Sequence, residues 1–133
     1  MNHSYEQLIA PQLVDTRLKL HLMLQFLNHP QLVTSAGALS ERLRENPWAV
    51  AEALEQLANN HLLAASIQLG TPFYRLGSDL LYSARLERLL DAFNDPHQRD
   101  RIHSLVADAD REREYYAMLA DQRALGQPIA LVA

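Results

Sequence analysis

A tight connection between two short helical segments constrains this fold more than any other feature of the sequence. Residues 44–47 read Arg-Glu-Asn-Pro, which is a typical helix start, because asparagine caps the first turn and proline fits the first helical position. The segment before this connection can begin at Thr34 or Ser35, which are also good caps. Its Leu39 and Leu43 stand four residues apart on one side. We therefore expect two short helices, joined by a tight turn, with apolar faces turned inward.

A helix and then a hairpin are predicted after this connection. The helix should run from Pro47 to about Asn60. Helical spacing is kept by its apolar residues, which are Val50, Ala53, Leu54 and Leu57. Residues 62–69 lose that period and partly alternate, and residues 70–72 (Gly-Thr-Pro) are a turn signal. Residues 73–76 return as a second short strand, so the pattern predicts a β-hairpin.

Two helical segments are predicted ahead of this pair. Ser4 and Gln7 have the spacing of a capping box for a short first helix, which Pro11 interrupts. Asp15 is expected to cap a second helix that runs to about Asn28. The apolar residues of that helix are Leu18, Leu20, Leu22, Met23, Leu24, Phe26 and Leu27. They cover more than one face, whereas a surface helix has one apolar stripe, so we expect this helix to contact two bodies.

The chain from Ser78 onward is predicted to form two further helices. Residues 94–96 (Asn-Asp-Pro) separate them, and Asp95 is expected to cap the second. The apolar stripe of the first helix is Leu86, Leu89, Leu90 and Phe93, and that of the second is Ile102, Leu105, Val106, Ala109 and Tyr116, continuing toward Leu125. A small neighbouring domain would not cover both stripes, so residues 79–125 are expected to mediate homodimerisation.

The order of these elements resembles the winged helix-turn-helix domain of bacterial transcription regulators such as the MarR, ArsR and PadR families. Three pieces carry the resemblance: residues 35–43 (Ser-Ala-Gly-Ala-Leu-Ser-Glu-Arg-Leu), the aliphatic positions between Val50 and Leu63, and residues 74–76 (Tyr-Arg-Leu). His61 departs from the pattern, because these families often have glycine after the recognition helix. Histidine can occupy a left-handed turn at modest cost.

The resemblance implies a transcription regulator that binds double-stranded DNA as a homodimer. The fold would be mainly α, with a short hairpin wing. Its parts would be an N-terminal helical segment (1–14), the winged helix-turn-helix domain (15–77) and a C-terminal helical dimerisation region (78–133). The DNA-binding residues that it implies are Arg42, Arg44, Trp48, Ala49, Glu52 and Arg75.

The chemistry of the recognition helix departs from that of a DNA-reading surface. Its predicted outward residues, which include no lysine or arginine, are Trp48, Ala49, Ala51, Glu52, Glu55 and Gln56. Two glutamates would face a polyanion, although glutamate can accept a hydrogen bond from the cytosine amino group. Trp48 is either packed at the helix start or an exposed anchor for a partner or a base step.

The alternative function is therefore a protein-interaction or assembly module with little DNA affinity. It would use Trp48, Ala49, Ala51 and Glu52 as its contact surface. A positive recognition face would favour DNA, and a negative or apolar face would favour a protein. The net charge of the chain is −4, and the segment 15–77 carries five basic and five acidic groups, whereas a domain held to DNA mainly by charge is usually basic.

The sequence offers no sign of catalytic or metal chemistry. It contains no cysteine, no glycine-rich phosphate loop and no His-Glu-x-x-His pattern. Asp95, His97 and His103 have an incomplete spacing for a metal site, so we expect no enzymatic activity, no metal and no cofactor. The absence of cysteine, of a signal-like start and of a membrane-length apolar run makes a cytoplasmic location the expectation.

Overall fold

Five α-helices and one three-stranded sheet make up residues 5–124, which are the residues that the computed structural model describes. The chain is mainly helical, as predicted. A 3-10 helix spans Tyr5–Leu8, and the α-helices are α1 (Arg17–Asn28), α2 (Ala36–Leu43), α3 (Pro47–Asn59), α4 (Leu80–Phe93) and α5 (Pro96–Ala124). The strands are β1 (Val33–Thr34), β2 (Leu63–Gln68) and β3 (Thr71–Leu76). Within residues 5–124, no helix has both the length and the apolar character that crossing a bilayer requires.

Helix α1 lies at the centre of the core and is buried on both of its apolar faces. Leu20, Leu22, Met23 and Phe26 are fully buried. The helix contacts α3 and β3 on one hand and α4 and α5 on the other. The two bodies expected around this helix are therefore α3 with β3 on the one hand and α4 with α5 on the other, all of the same chain.

The apolar stripes of α4 and of the first half of α5 close this core. Leu86, Leu89, Ile102 and Val106 are each at most 4% exposed, and they join one continuous cluster with the residues of α1 and α3. Homodimerisation through residues 79–125 was expected because a small neighbouring domain would not cover both stripes. The single chain covers most of these stripes, but Tyr116 is 55% exposed and Leu125 lies outside the described residues, so homodimerisation through residues 79–125 stays a prediction.

Three helix starts follow the predicted capping residues, one does not, and Ser4, the predicted cap of the first helix, lies outside the described residues. Ser35 caps α2, Asn46 caps α3, and the Asp95 carboxylate accepts the His97 N–H at 3.0 Å at the start of α5. The prediction that Asp15 caps α1 is wrong, because the Thr16 side chain accepts the Lys19 N–H instead. The Asp15 side chain is buried instead and pairs with the Lys19 ammonium.

The hairpin forms as predicted, but its turn lies one residue earlier than expected. Strands β2 and β3 are antiparallel from Leu63↔Leu76 to Gln68↔Thr71, so the two-residue turn is Leu69-Gly70 rather than residues 70–72. Pro72 belongs to β3, which is possible because β1 pairs β3 only at Tyr74 and Arg75 and leaves the proline on an open edge.

Strand β1 was not predicted. It has only two residues and completes a sheet of order β1-β3-β2. A pattern of alternation cannot be read from so short a segment.

His61, which follows the end of α3, adopts a left-handed backbone conformation. His61 has a φ of 69°, which is the left-handed conformation that the sequence analysis allowed for a histidine at this position. A glycine is needed instead at Gly77, where a Cβ would lie 2.8 Å from the His61 carbonyl oxygen. The Gly77 N–H donates to the Leu62 carbonyl, which ties the end of the sheet to the end of α3.

A buried ion pair fixes the entry into α1. The Lys19 ammonium lies 2.8 Å from the Asp15 carboxylate, and both side chains are at most 3% exposed. The second oxygen of Asp15 accepts the Gln12 N–H at 3.0 Å, at a residue whose φ is 77°. Removing one partner of such a pair is costly, because the other charge stays buried without compensation.

We predict that Lys19→Met lowers the free energy of unfolding by roughly 3–5 kcal/mol, the usual cost of orphaning a buried charge. Adding Asp15→Asn should recover most of the loss, because the amide is neutral and its oxygen still accepts the Gln12 N–H. Denaturant unfolding measures both variants. Arg111→Met, which breaks an exposed pair with Asp108, is the control and should have little effect. A double variant as unstable as the single one would contradict this account of the pair.

Two histidines meet where α1 packs on α5. The rings of His21 and His103 stand edge to face with centroids 6.3 Å apart, and His103 also contacts Phe93 at 5.5 Å. Burial lowers the pKa of His21 below its ordinary 6.5, and the charge of Arg17 and the neighbouring His103 lower it further, against an opposing effect of Glu45. The folded chain therefore favours the neutral ring of His21.

This pKa shift predicts a loss of stability in acid. As the pH falls below about 6.5, the unfolded chain binds a proton at position 21 before the folded chain does, so the free energy of unfolding falls. His21→Gln should flatten the decline between about pH 7.5 and about pH 5.5, measured by urea unfolding. The exposed His29 provides the control, since His29→Gln should keep the wild-type profile. Equal declines in wild type and His21→Gln would rule out this role for His21.

Candidate functional site

One exposed face of α3 carries the residues singled out by the sequence. The buried face of the helix is formed by Val50, Ala53, Leu54 and Leu57. The opposite face, which we call the α3 face, consists of Trp48, Glu52, Glu55 and Asn59, all of them exposed. At 3.6 residues per turn these four positions fall within about 60° of arc. The α3 face is therefore a continuous stripe along the whole length of the helix.

Trp48 is the most exposed of the large apolar side chains described in the helices. It is 84% exposed, so the interpretation of this residue as packing at the helix start is wrong. Its backbone is nevertheless fixed, because the Trp48 and Ala49 N–H groups donate to Asn46 Oδ1 at 2.8 and 3.2 Å. A large apolar side chain on a rigid helix end, away from the core, has the properties of a binding anchor.

The electrostatic character of the α3 face is negative. Glu52 and Glu55 are exposed, and α3 contains no lysine or arginine from Pro47 to Asn59. The field of Glu55 reaches the sheet, where burial first and then the Glu55 charge raise the pKa of Tyr74. The face is thus apolar at its start and acidic along its length.

The three arginines predicted to contact phosphates are all exposed, on elements other than α3. Arg42 lies in the last turn of α2 and Arg44 is the C-cap of that helix, in a left-handed conformation with φ 56°. Arg75 lies on β3 beside Val33 and Ala64, its uncharged partners across the sheet. None of the three forms an ion pair with another residue of the described range 5–124.

Leu69, at the tip of the hairpin, is a part of the surface that the sequence analysis missed. Leu69 is fully exposed and has a φ of 52°, followed by Gly70 at 81°. Positive φ at both positions of a two-residue turn favours asparagine or glycine, so leucine is unfavourable there in both conformation and exposure. Ile67, near the tip, is also 67% exposed. The signal in the sequence is a leucine where a turn residue belongs.

The residues considered for a metal site do not converge. Asp95 is engaged with the start of α5, and its pKa is lowered mainly by the hydrogen bond from the His97 N–H. His103 faces His21 and Phe93 instead. Among residues 5–124, no three histidine, aspartate or glutamate side chains gather as a metal ion would require.

We predict that Leu69→Asn stabilises the chain by about 0.5–1 kcal/mol, because asparagine adopts the left-handed conformation at lower cost. Thermal and denaturant unfolding measure the gain. Leu69→Ala is the matched control: it also removes the exposed side chain but keeps the strain, so it should not stabilise. If alanine stabilises as much as asparagine, backbone strain at Leu69 is not the cause.

Comparisons with known proteins leave this surface to be interpreted from its own residues. No family model, no curated protein and no solved structure matches the chain. The interpretation therefore depends on the geometry and charge of α3, the hairpin tip and the three exposed arginines.

Proposed function

We propose that this chain is a winged-helix protein whose α3 face and hairpin tip bind a protein partner. The order α1, β1, α2, α3, β2, β3 supports the winged-helix assignment, because it preserves the helix, helix, tight turn, helix and hairpin order on which the resemblance rests. The assignment gives α3 the place of the recognition helix and the Leu69-Gly70 turn the place of the wing tip.

The observation that carries the proposal is the 84% exposure of Trp48 on an acidic helix face. Tryptophan is among the residues whose burial dominates protein interfaces, where its truncation commonly costs about 2 kcal/mol or more of binding. Leu69, fully exposed at a strained turn, adds a second apolar contact. Exposed large apolar side chains and unfavourable backbone conformations of this kind concentrate at functional positions.

The charge of the α3 face specifies the kind of partner. Glu52 and Glu55 give each chain two carboxylates beside Trp48, and complementary charge steers association and selects partners. The partner is therefore a protein surface with an apolar pocket for Trp48 and lysine or arginine side chains around it. The same carboxylates repel a phosphate backbone, which makes double-stranded DNA the less favoured ligand of this face.

DNA binding is the second candidate, and three exposed arginines support it. Arg42, Arg44 and Arg75 make no ion pair within the described part of the chain, so their charges are available to phosphates. Contacts of this kind position a protein on DNA without reading its sequence. DNA binding by this route would be weak, strongly dependent on salt and independent of the side chains of α3.

A single set of variants separates the two functions. Trp48 is the only tryptophan of the chain, so its emission reports on the α3 face alone. We expect no binding of random-sequence duplex at about 50 mM salt, either by wild type or by Glu52→Gln and Glu55→Gln. We also expect capture of a basic protein partner that blue-shifts the emission of Trp48 and is lost in Trp48→Ala.

The control for the capture experiment is Leu81→Ala, which removes another exposed apolar side chain, at the start of α4. It should leave partner binding unchanged. Duplex binding that weakens in Arg42→Ala and strengthens in the glutamine variants would make DNA binding, rather than protein binding, the favoured function. A captured partner that Trp48→Ala retains, or self-association that depends on Trp48 in sedimentation, would overturn the proposed use of the face.

A further inference from the structure

A cluster of basic and titratable side chains occupies the junction of α1 and α5, on elements other than α3 and the hairpin. Arg17 and His21 stand four residues apart on α1 and so project from the same side of the helix. His103 of α5 completes the cluster, with its ring centroid 6.3 Å from that of His21. All three side chains offer N–H donors, and the guanidinium of Arg17 stays charged at every physiological pH.

An open groove gives a ligand access to these donors. Arg17, His103, Val106 and Ala107 line a cavity of about 370 Å³, which lies at the lower end of the range for small-molecule sites. A smaller cavity of about 270 Å³ adjoins Arg17 and His21 from the side of Glu45. Arg17 lines both cavities and is itself exposed, so its guanidinium is accessible to solvent.

The acidic groups around the cluster only partly neutralise it. Asp110 lines the larger cavity, but the Arg113 guanidinium donates to it at 2.7 and 3.2 Å. Glu45, in the turn between α2 and α3, lines the smaller cavity, and Arg99 is turned away over the ring of Phe93. Within residues 5–124, Glu45 is thus the one carboxylate of the cavity linings that faces the cluster without a paired arginine.

The positive charge around His21 has a larger effect than the negative charge of Glu45. Apart from burial, Arg17 and His103 lower the pKa of His21, and the opposing effect of Glu45 is smaller than either. Repulsion among cationic groups at a solvent-accessible groove is relieved when an anion binds between them. Each imidazole that gains a proton adds a charge and a donor, which strengthens hydrogen bonds to an anion.

We propose that Arg17, His21 and His103 form a binding site for a small oxyanion with the chemistry of a phosphoryl or sulfate group, held more tightly in mild acid. The site adjoins the turn before α3 through Glu45, which follows the strained Arg44 and precedes the Asn46 cap. An anion bound here competes with Glu45 for the basic groups. Its binding therefore affects residues 44–46, the connection between α2 and α3 that orients α3.

Sulfate is the probe, because it remains a dianion at every pH used. Calorimetric titration of the full chain at constant ionic strength should show an affinity about tenfold higher at about pH 5.5 than at about pH 8, the effect of roughly one added charge at this distance. By linkage, sulfate should raise the pH midpoint of the His21 ring signals in NMR, while the same ionic strength of chloride should not.

Two variants and a control complete the test. Arg17→Gln should abolish sulfate binding, and its exposed position leaves the fold intact. His21→Gln should keep the affinity at about pH 8 and lose part of its rise in acid. Arg88→Gln removes an exposed arginine of α4 outside the groove and should behave as wild type. Undiminished sulfate binding in Arg17→Gln, an affinity independent of pH, or an equal effect of chloride would overturn the proposal.

Discussion

The burial of α1 on both faces is the constraint on which the rest of the structure depends. A helix of twelve residues with apolar side chains around most of its circumference cannot lie on a surface, because each exposed leucine would forgo roughly 1.5–3 kcal/mol of burial. One side is covered by α3 and β3, and the other by α4 and α5. The C-terminal helices are therefore part of the same core, and the chain folds around α1 as one unit.

Short-range signals in the sequence predicted most of the fold. Caps at Ser35 and Asn46, the proline at position 47 and the left-handed His61 each follow from the chemistry of one or two residues. The errors arose where tertiary contacts, rather than neighbouring residues, determine the structure. Asp15 has the local chemistry of a cap, but a buried lysine binds it, and the coverage of α1 by helices far along the chain cannot be read from periodicity.

The candidate site was predictable in position but only partly in character. Helical spacing placed Trp48, Glu52 and Glu55 outward, and the absence of lysine and arginine from α3 already indicated its charge. The exposure of Trp48 could not be decided, because a residue in the first turn of a helix lies at the rim of the core. Leu69 escaped notice because the turn was placed one residue too late. The groove at Arg17 joins residues that lie 86 apart in sequence, which no local pattern connects.

The buried ion pair has a chemical consequence for the whole chain. Lys19 is its sole lysine, since the other basic residues are arginines, and its ammonium lies inside the protein against Asp15. Reagents and enzymes that acylate amines find no lysine side chain on the surface of the folded protein. Acylation of Lys19 requires its ammonium to leave Asp15 and reach solvent, so the rate of that reaction in the native protein would measure how often this part of the core opens.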